Sequence, residues 1–385
     1  MKIAMFHDSW DVLGGGRVHV ENICKQLIIE HNCTITLFVR AIMTDSGVIK
    51  DNDEEGFNGK LKIIRCGRPK TFFNPFERFF SLFSMLFIFI KYNKINRYDI
   101  IHAHTYLPLL VGKICSIITQ IPVIVTIHGS QIMDIGNKNI SYYIQKILLT
   151  KIKYNLEICV GKNFLEYSNI NKVINIGNGV NTQDFEGENN IKKNENIKKL
   201  LFVGRLEWTK GVDVLIDSIN YIVKTLNIKD IFLDIVGYGY DEKKYKDMVN
   251  KYGLNNYIAF HGQKKGKDLV NYYKNSDLMI VPSRAEGFGI IILEAMASGI
   301  VVIATKSGGP EDIIQDGING FLVKKDDYIA LASKIVEFVK GKDKDLDKII
   351  YNGYITIKKK YTWEIISKQI YKQYEILITN KYKGK

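Results

Sequence analysis

No two of the five cysteines in this 385-residue chain form a Cys-x-x-Cys pair. Cys24, Cys33, Cys66, Cys115 and Cys159 are scattered and odd in number, which argues against both a disulfide framework and a zinc knuckle. A reducing compartment fits best, so the expected location is cytoplasmic. The opening MKIAMFHDSW goes straight into a strand pattern, with no signal-peptide hydrophobic region. An uninterrupted apolar run of the roughly 20 residues that a spanning helix needs is also missing. The nearest approach is Phe72–Ile90, whose first part (FFNPFERFFSLFSMLF) is dense in phenylalanine but broken by Glu77 and Arg78. This segment reads either as a buried helix or as a helix lying at a membrane surface, with Arg68, Lys70, Arg78, Lys91 and Lys94 toward the headgroups. The buried reading is preferred, because no clean polar face is visible. Peripheral attachment to the inner face of an anionic membrane stays open as the alternative.

Nucleic-acid signatures are lacking as well. There is no aromatic-basic RNA-binding motif and no zinc-finger spacing, so no nucleic-acid partner is expected. The 54 Lys+Arg against 41 Asp+Glu give a net charge of +13, which favours an anionic partner without choosing among nucleotide phosphates, nucleic acid and acidic membrane. Part of it reflects a general richness in Lys, Ile and Asn.

The length exceeds one ordinary core and fits two domains. A hydrophobic content of 46% with 25% charged residues is that of a soluble globular protein. Short apolar runs at Lys2–Phe6, Thr34–Val39, Lys62–Arg65, Ile100–Ala103, Val123–Ile127 and Glu157–Val160 read as strands. Helical patterns at about 16–30, 76–92, 108–119 and 139–152 separate most of them, the signature of a parallel sheet covered on both faces. The polar run Asn181–Lys199 (NTQDFEGENNIKKNENIKK) breaks the pattern and reads as a linker region. The alternation then restarts with Leu200–Val203, Ile231–Val236, Ile258–Phe260, Leu278–Val281 and Ile300–Ala304. The fold class is therefore α/β, two doubly wound Rossmann-like domains, one over residues 1–180 and one over 181–362. Ligands of such sheets bind beyond the carboxyl ends of the strands, and the cleft between the domains is the expected site.

The motifs fall at those strand ends. In AEGFGIIILEAMASG, residues 285–299, Glu286 precedes a glycine-bearing loop and Glu294 sits about one turn inside the helix that follows. Between the two carboxylates lie free amides at a positive helix end, such as those of Gly289, Ile290 and Ile291, a place for phosphate. Two acceptors flanking an anion site suit a diphosphate carrying hydroxylated groups at both ends, as in a sugar nucleotide. Helix capping alone would also enrich acids there. After the strand at 200–203 comes VGRLEWTKG, where Arg205 and Lys210 suit a diphosphate as a fork and a point charge. As isolated residues they would read as solvated surface cations. Gly14, Gly15 and Gly16 follow the first strand and let a backbone approach a ligand closely. Gly237 and Gly239 end another strand, where a tight turn would explain them. His128 ends VIVTIH, either structural or facing the site. His102 and His104, two apart on a strand, share one face and could form half a metal site. No third ligand stands at a recognisable spacing, so no metal is expected.

Together these residues resemble the retaining glycosyltransferases of the GT-B fold, glycosyltransferase group 1, family 4. The resemblance runs along nearly the whole chain. It is densest in VGRLEWTKGVDVLIDSI, DIVGYG, NSDLMIVPSRAEGFGIIILEAMASGIVVIATKSGGPEDII and DGINGFLV, and looser in DIIHAH, TIHGS and INIGNGVNTQDF. YTWEIISKQIYKQYEIL looks like the family's final helix, which implies that about 363–385 packs back on the acceptor-side first domain while the second binds the donor nucleotide. The resemblance implies that Arg205 and Lys210 bind the donor diphosphate and stabilise the leaving charge. Glu286 would hydrogen-bond donor-sugar hydroxyls near the reacting centre, and Glu294 the ribose. The amides of Gly289, Ile290 and Ile291 would take the phosphates, Gly237 would line the donor site, and His128 with Gly15 and Gly16 would close it. It also implies a hexose moving from a UDP- or GDP-sugar to a hydroxyl of a glycan or lipid-linked acceptor, with retention by front-face attack and with no metal or other cofactor. No Asp-x-Asp pair stands in a matching place, which agrees. Two alternatives remain: a GT-B sugar-nucleotide epimerase, which the Glu spacing disfavours, and a non-catalytic subunit binding a nucleotide sugar or anionic polymer.

Overall fold

The computed structural model describes residues 1–8, 10–11, 15–43, 49–50, 52–67, 75–104, 106–128, 140–165, 170–185, 197–341 and 345–383. The chain divides into two compact units, Met1–Asn178 with Trp363–Lys385, and Gly179–Thr362. The division falls two residues ahead of the sequence expectation.

Unit 1 runs β1 (Lys2–His7), α1 (Gly15–His31), β2 (Thr34–Arg40), β3 (Ile42–Met43), β4 (Ile49–Lys50), β5 (Glu54–Gly56), β6 (Leu61–Cys66), α2 (Pro75–Asn96), β7 (Ile100–His104), α3 (Tyr106–Thr119), β8 (Val123–Ile127), α4 (Ile140–Thr150), β9 (Leu156–Cys159) and β10 (Val173–Asn175). Eight strands form one sheet in the order β10-β9-β8-β7-β1-β2-β6-β5, while β3 and β4 make a separate pair. All neighbours in the large sheet are parallel except the edge strand β5, which runs against β6. Successive residues of a strand point to opposite faces, and both faces are covered. In β1, Ile3 and Met5 enter one core with Val20, Ile23 and Leu27 of α1. Ala4 and Phe6 enter the opposite core with Met85 and Phe89 of α2, Leu109 of α3 and Leu149 of α4.

Unit 2 runs β11 (Lys198–Val203), α5 (Val212–Asn220), β12 (Ile231–Val236), α6 (Glu242–Tyr252), β13 (Ile258–Phe260), α7 (Gly266–Lys274), β14 (Leu278–Val281), α8 (Ile290–Ala297), β15 (Val301–Thr305), α9 (Pro310–Ile313), β16 (Phe321–Val323), α10 (Tyr328–Val339) and α11 (Leu346–Lys360). Its sheet is parallel throughout, in the order β13-β12-β11-β14-β15-β16. The last helix, α12 (Trp363–Lys383), belongs to unit 1. Its Trp363, Ile366, Ile370 and Tyr374 recur at helical spacing and bury one stripe in the α1 core.

Three sequence expectations change. The Asn181–Lys199 run is not linker throughout, since Thr182–Asp184 form a 3-10 turn and Lys198–Lys199 already belong to β11; residues 186–196 lie outside the described ones. β10 and β16, at three residues each, are strands that the sequence reading did not name, although it named β13 at the same length. The preferred reading of Phe72–Ile90 as a buried helix is the third. Met85 and Phe89 of α2 are buried, but Phe79, Phe80, Phe83 and Phe87 are exposed. The sequence shows no polar face because the outer face is itself apolar. Arg68, Lys70 and Phe72–Asn74 lie outside the described residues, as does the Arg78 side chain.

Candidate functional site

Each sheet reverses its winding at one place, and the chemistry-bearing residues gather there. In unit 2 the reversal lies between neighbours β11 and β14, whose carboxyl ends lead into loops 204–211 and 282–289. Lys210, from the first loop, reaches Glu286 of the second with its Nζ 2.6 Å from Oε2. Both side chains are largely enclosed, at 18% and 13% exposure, so the pair is screened less than a surface bridge would be. Ser283 donates to the same carboxylate oxygen at 3.3 Å. The Glu286 main chain is tied on both sides: its N–H donates to the Ser307 carbonyl at 3.1 Å and its carbonyl accepts from Gly309 N–H at 2.8 Å.

Three residues on, Gly289 caps α8 with φ +98°, a conformation that a side chain would strain. No side chain caps this helix and its first turn holds no acid, so the orphan amides of its start, including Ile290 and Ile291, are not claimed by an acidic side chain there. Gly237 has a structural cause of its own. A Cβ there would stand 1.8 Å from the Gly204 carbonyl oxygen, so glycine is what lets the end of β12 pack on the start of the Arg205 loop.

Glu294, one turn into α8, accepts a 2.7 Å hydrogen bond from the Tyr273 hydroxyl of α7. Burial pushes its carboxyl up to about 7, the Tyr273 bond works against that shift, and Asp184 adds to it. Arg205 stands apart from these groups. It is 67% exposed and donates to Glu207 at 2.8 Å rather than joining the Lys210–Glu286 pair.

Arg284 organises the loops and went unnoticed in the sequence. It donates in a fork to Asp213 of α5 (2.8 and 2.9 Å), to the Trp208 carbonyl at 2.7 Å and to Asp326 at 2.6 Å. Its guanidinium also lies over the Trp208 ring, 4.7 Å from the centroid. Burial pushes the Asp213 carboxyl up, but the Arg284 hydrogen bonds and charge outweigh this and hold it below its ordinary value. These contacts fix the Trp208–Lys210 turn, and through it the origin of the Lys210 side chain.

In unit 1 the reversal lies between β7 and β1. His7 ends β1, His104 ends β7, and His128 follows β8 directly. Gly16, at the start of α1, comes so close that an added Cβ would lie 3.4 Å from His7 Nε2 and 3.6 Å from the His128 ring. Gly15 is exposed beside it, whereas Gly14 lies outside the described residues. His19 of α1 bonds Asn178 Oδ1 through Nδ1 at 2.8 Å. Its Nε2, like His128 Nδ1, has no hydrogen-bond partner among the described residues.

The two histidines of the His-Ala-His pair part ways in the fold. His102 is used up structurally, by the Tyr374 hydroxyl at 2.6 Å and Thr126 Oγ1 at 2.7 Å. His104 instead groups with His19 and His128, each offering one ring nitrogen within 4.8 Å of the others. The missing third imidazole thus comes from distant sequence. His104 Nδ1 and His128 Nε2 stand 3.1 Å apart with ring planes 16° from parallel and centroids 5.4 Å apart, the separation that a head-on contact demands. Burial keeps these rings neutral. It lowers His19 to about 4 and His102 to about 3 and holds His104 and His128 well below the ordinary value, where the neighbouring rings add to the effect.

His19 had one sequence signal, a polar residue on the apolar stripe of α1, between Arg17 and the core positions Val20 and Ile23. Tyr273 had none, since 21 residues separate it from Glu294.

Two doubly wound α/β units of this kind have the layout of the GT-B fold. Comparison with known proteins gives the family. A model described as "Glycosyl transferases group 1" matches residues 183–356, and one described as "Glycosyltransferase Family 4" matches residues 13–183. An uncharacterized glycosyltransferase of Methanocaldococcus jannaschii is 33% identical over 385 residues, covering 98% of this chain and 99% of that one. The capsular polysaccharide biosynthesis glycosyltransferase CapM of Staphylococcus aureus is 27% identical, over 88% of this chain and 90% of its own. Among solved structures, Anabaena HepE in complex with UDP and glucose superposes with a TM-score of 0.74 at 20% identity, covering 97% of this chain and 99% of that one, a likeness of fold. The chain belongs to the group 1, family 4 glycosyltransferases and is a glycosyltransferase.

Proposed function

We propose that this glycosyltransferase moves a hexose, with retention, from a UDP- or GDP-sugar to a hydroxyl of a glycan or lipid-linked acceptor. The observation that carries the reading is the enclosed Lys210–Glu286 pair beside the uncapped start of α8. A diphosphate arriving there takes Lys210 as its counter-charge, and the amides of Gly289, Ile290 and Ile291 complete the anion cradle. Lys210 is then shared between phosphate and Glu286, which frees a Glu286 oxygen to accept from the sugar hydroxyls. Arg205, exposed and held only by Glu207, exchanges that carboxylate for phosphate. Glu294 accepts from the ribose. His128 offers its Nδ1 to a sugar hydroxyl, and Gly15 and Gly16 leave the start of α1 open to the donor. Charge developing on the leaving diphosphate is met by Lys210 and Arg205, so the reaction as proposed uses no metal.

The relative named for capsular polysaccharide biosynthesis supports the acceptor class, and the UDP and glucose bound by HepE support the donor class. The test is nucleotide binding and turnover in two variants, without added metal. Lys210→Ala is expected to weaken the nucleotide and to cut turnover by about a hundredfold, since one electrostatic donor is worth about that much. Glu286→Gln is expected to cut turnover far more than affinity. Unchanged nucleotide affinity in Lys210→Ala, or near-normal turnover in Glu286→Gln, contradicts the assigned roles.

A further inference from the structure

Helices α2, α3 and α4 each return the chain across a parallel sheet, so they run in the same sense, and all three bury a stripe in one core. α2 packs beside α3 and α3 beside α4. Their outward sides therefore form one surface. On a water-facing helix layer this side is charged and polar. Here it is not. Phe79, Phe80, Phe83 and Phe87 of α2 stand out of it, Phe80 and Phe87 at 69% and 68% exposure. Tyr143, Ile144 and Ile147 of α4 and Ile117 and Ile118 of α3 are exposed on the same layer. Apolar exposure continued over three helices is not the scatter of single residues expected on any surface.

The charges around it have one sign. Among the described residues between Phe79 and Asn155 there are seven Lys or Arg against one acid, Asp99. Asp99 is taken by the Lys2 main-chain N–H at 2.7 Å, at the start of the strands. The pattern along two of the helices repeats. Phe79, Phe83, Phe87 and Lys91 follow at four-residue spacing on α2, and Tyr143 and Ile147 on α4 lead at the same spacing to Lys151. In both, aromatic and aliphatic groups lie toward the amino end and the lysine toward the carboxyl end. The amino ends of these helices sit at the side of the sheet where the strands end, the side that bears His104 and His128.

We infer that this three-helix face docks on an anionic lipid bilayer. Rings and aliphatic chains seat in the acyl–headgroup boundary while the lysines meet anionic headgroups. No described helix is long and apolar enough to cross a membrane, so the attachment is to the surface. A second copy of the chain suits the face less well, because a symmetric contact would bring two lysine-rich, acid-poor surfaces together. The inference goes beyond the transfer reaction proposed above, and its assay uses neither donor nor acceptor, so either can fail without the other.

The experiment is co-sedimentation of the full chain with vesicles of phosphatidylcholine alone and of phosphatidylcholine with phosphatidylglycerol. Two variants accompany it, Phe79→Ser/Phe83→Ser/Phe87→Ser and Lys91→Glu/Lys146→Glu/Lys151→Glu. All six side chains are exposed, so circular dichroism and the melting midpoint are expected to stay as in the parent. The parent is expected to bind the anionic vesicles and to release as salt rises. Each triple variant is expected to lose roughly tenfold or more in vesicle affinity, one through lost apolar insertion and the other through lost headgroup attraction. Failure of the parent to bind anionic vesicles overturns the inference, as does undiminished binding by the phenylalanine variant. A dimer that dissolves in the phenylalanine variant, in a protein that ignores vesicles, assigns the face to a second copy instead.

Discussion

The two units share an architecture but treat buried ionisable groups in opposite ways at their switch points. Unit 1 gathers imidazoles and keeps them neutral, with His102 held by Tyr374 and Thr126 and His19 by Asn178. Unit 2 keeps charges and pairs them, Lys210 with Glu286 and Arg284 with Asp213, and encloses one carboxyl, Glu294, with only a tyrosine hydroxyl for a partner. Neutral rings suit hydrogen bonding to hydroxyls, which need both donors and acceptors. Paired charges suit an anion that can displace one member. The same fold thus prepares two kinds of chemistry through the choice of side chains at one place in each sheet.

The contrast predicts opposite responses to pH, and the largest effect belongs to unit 1. A histidine whose folded value lies below its unfolded one of about 6.5 stabilises fully above 6.5 and loses that contribution as pH falls toward the folded value. For His19, at about 4 in the fold, the full loss is on the order of 3 kcal/mol, and His102, at about 3, adds to it. Unit-resolved opening free energies from amide exchange at pH 7.5 and pH 5 are expected to drop for β1, β7 and β8. Unit 1 strands that hold their stability at pH 5 would break the comparison at its stronger end.

Glu294 works the other way and more weakly. Its folded value, raised to about 7 from 4.5, means that the folded protein binds the extra proton between those values. Stability is full below about 4.5 and declines as pH rises to about 7, with a cost of up to about 3 kcal/mol above that. Glu294→Gln keeps an acceptor for Tyr273 and removes the charge. It is expected to stabilise unit 2 by about 1–2 kcal/mol at pH 8 and to change little at pH 4.5. Equal destabilisation at both pH values would mean that the carboxylate is better accommodated than its enclosure implies.

How much of this could be read in advance divides along the same line. The alternation of strands and helices was legible wherever an element was long enough to repeat its period, down to the bounds of Val123–Ile127, Ile231–Val236 and Leu278–Val281. Of the three-residue strands, β13 was named with its bounds, while β10 and β16 were missed. In unit 2 the loops at 204–211 and 282–289 carry their residues in compact motifs, so Lys210, Glu286 and Glu294 stood out together. What binds them to each other did not, since Arg284 and Tyr273 act on residues 71 and 21 positions away. In unit 1 the cluster is assembled from His19, His104 and His128 on three separate elements, and only the fold makes them neighbours. The two sides of α2 were inseparable for a related reason: where both faces are apolar, the sequence does not mark which residues face the core.

The smallest predicted effect tests whether Tyr273 and Glu294 act as one unit. Tyr273→Phe keeps the ring, which is fully buried and meets Phe185 edge-on at 5.9 Å, and removes only the hydroxyl. The expected loss is about 1 kcal/mol, the net worth of one hydrogen bond to a group that then lacks its donor. Because that bond holds the Glu294 carboxyl down against burial, its removal should also carry the pH-dependent decline in stability to higher pH. A merely structural role for the hydroxyl would lower stability equally at every pH. Combining Tyr273→Phe with Glu294→Gln separates the cases, since coupled residues depart from additivity by about 0.5 kcal/mol or more. If the two changes add at pH 8, the hydroxyl serves packing alone. If the tyrosine change costs less once the charge is gone, the hydroxyl and the buried carboxylate act as one unit.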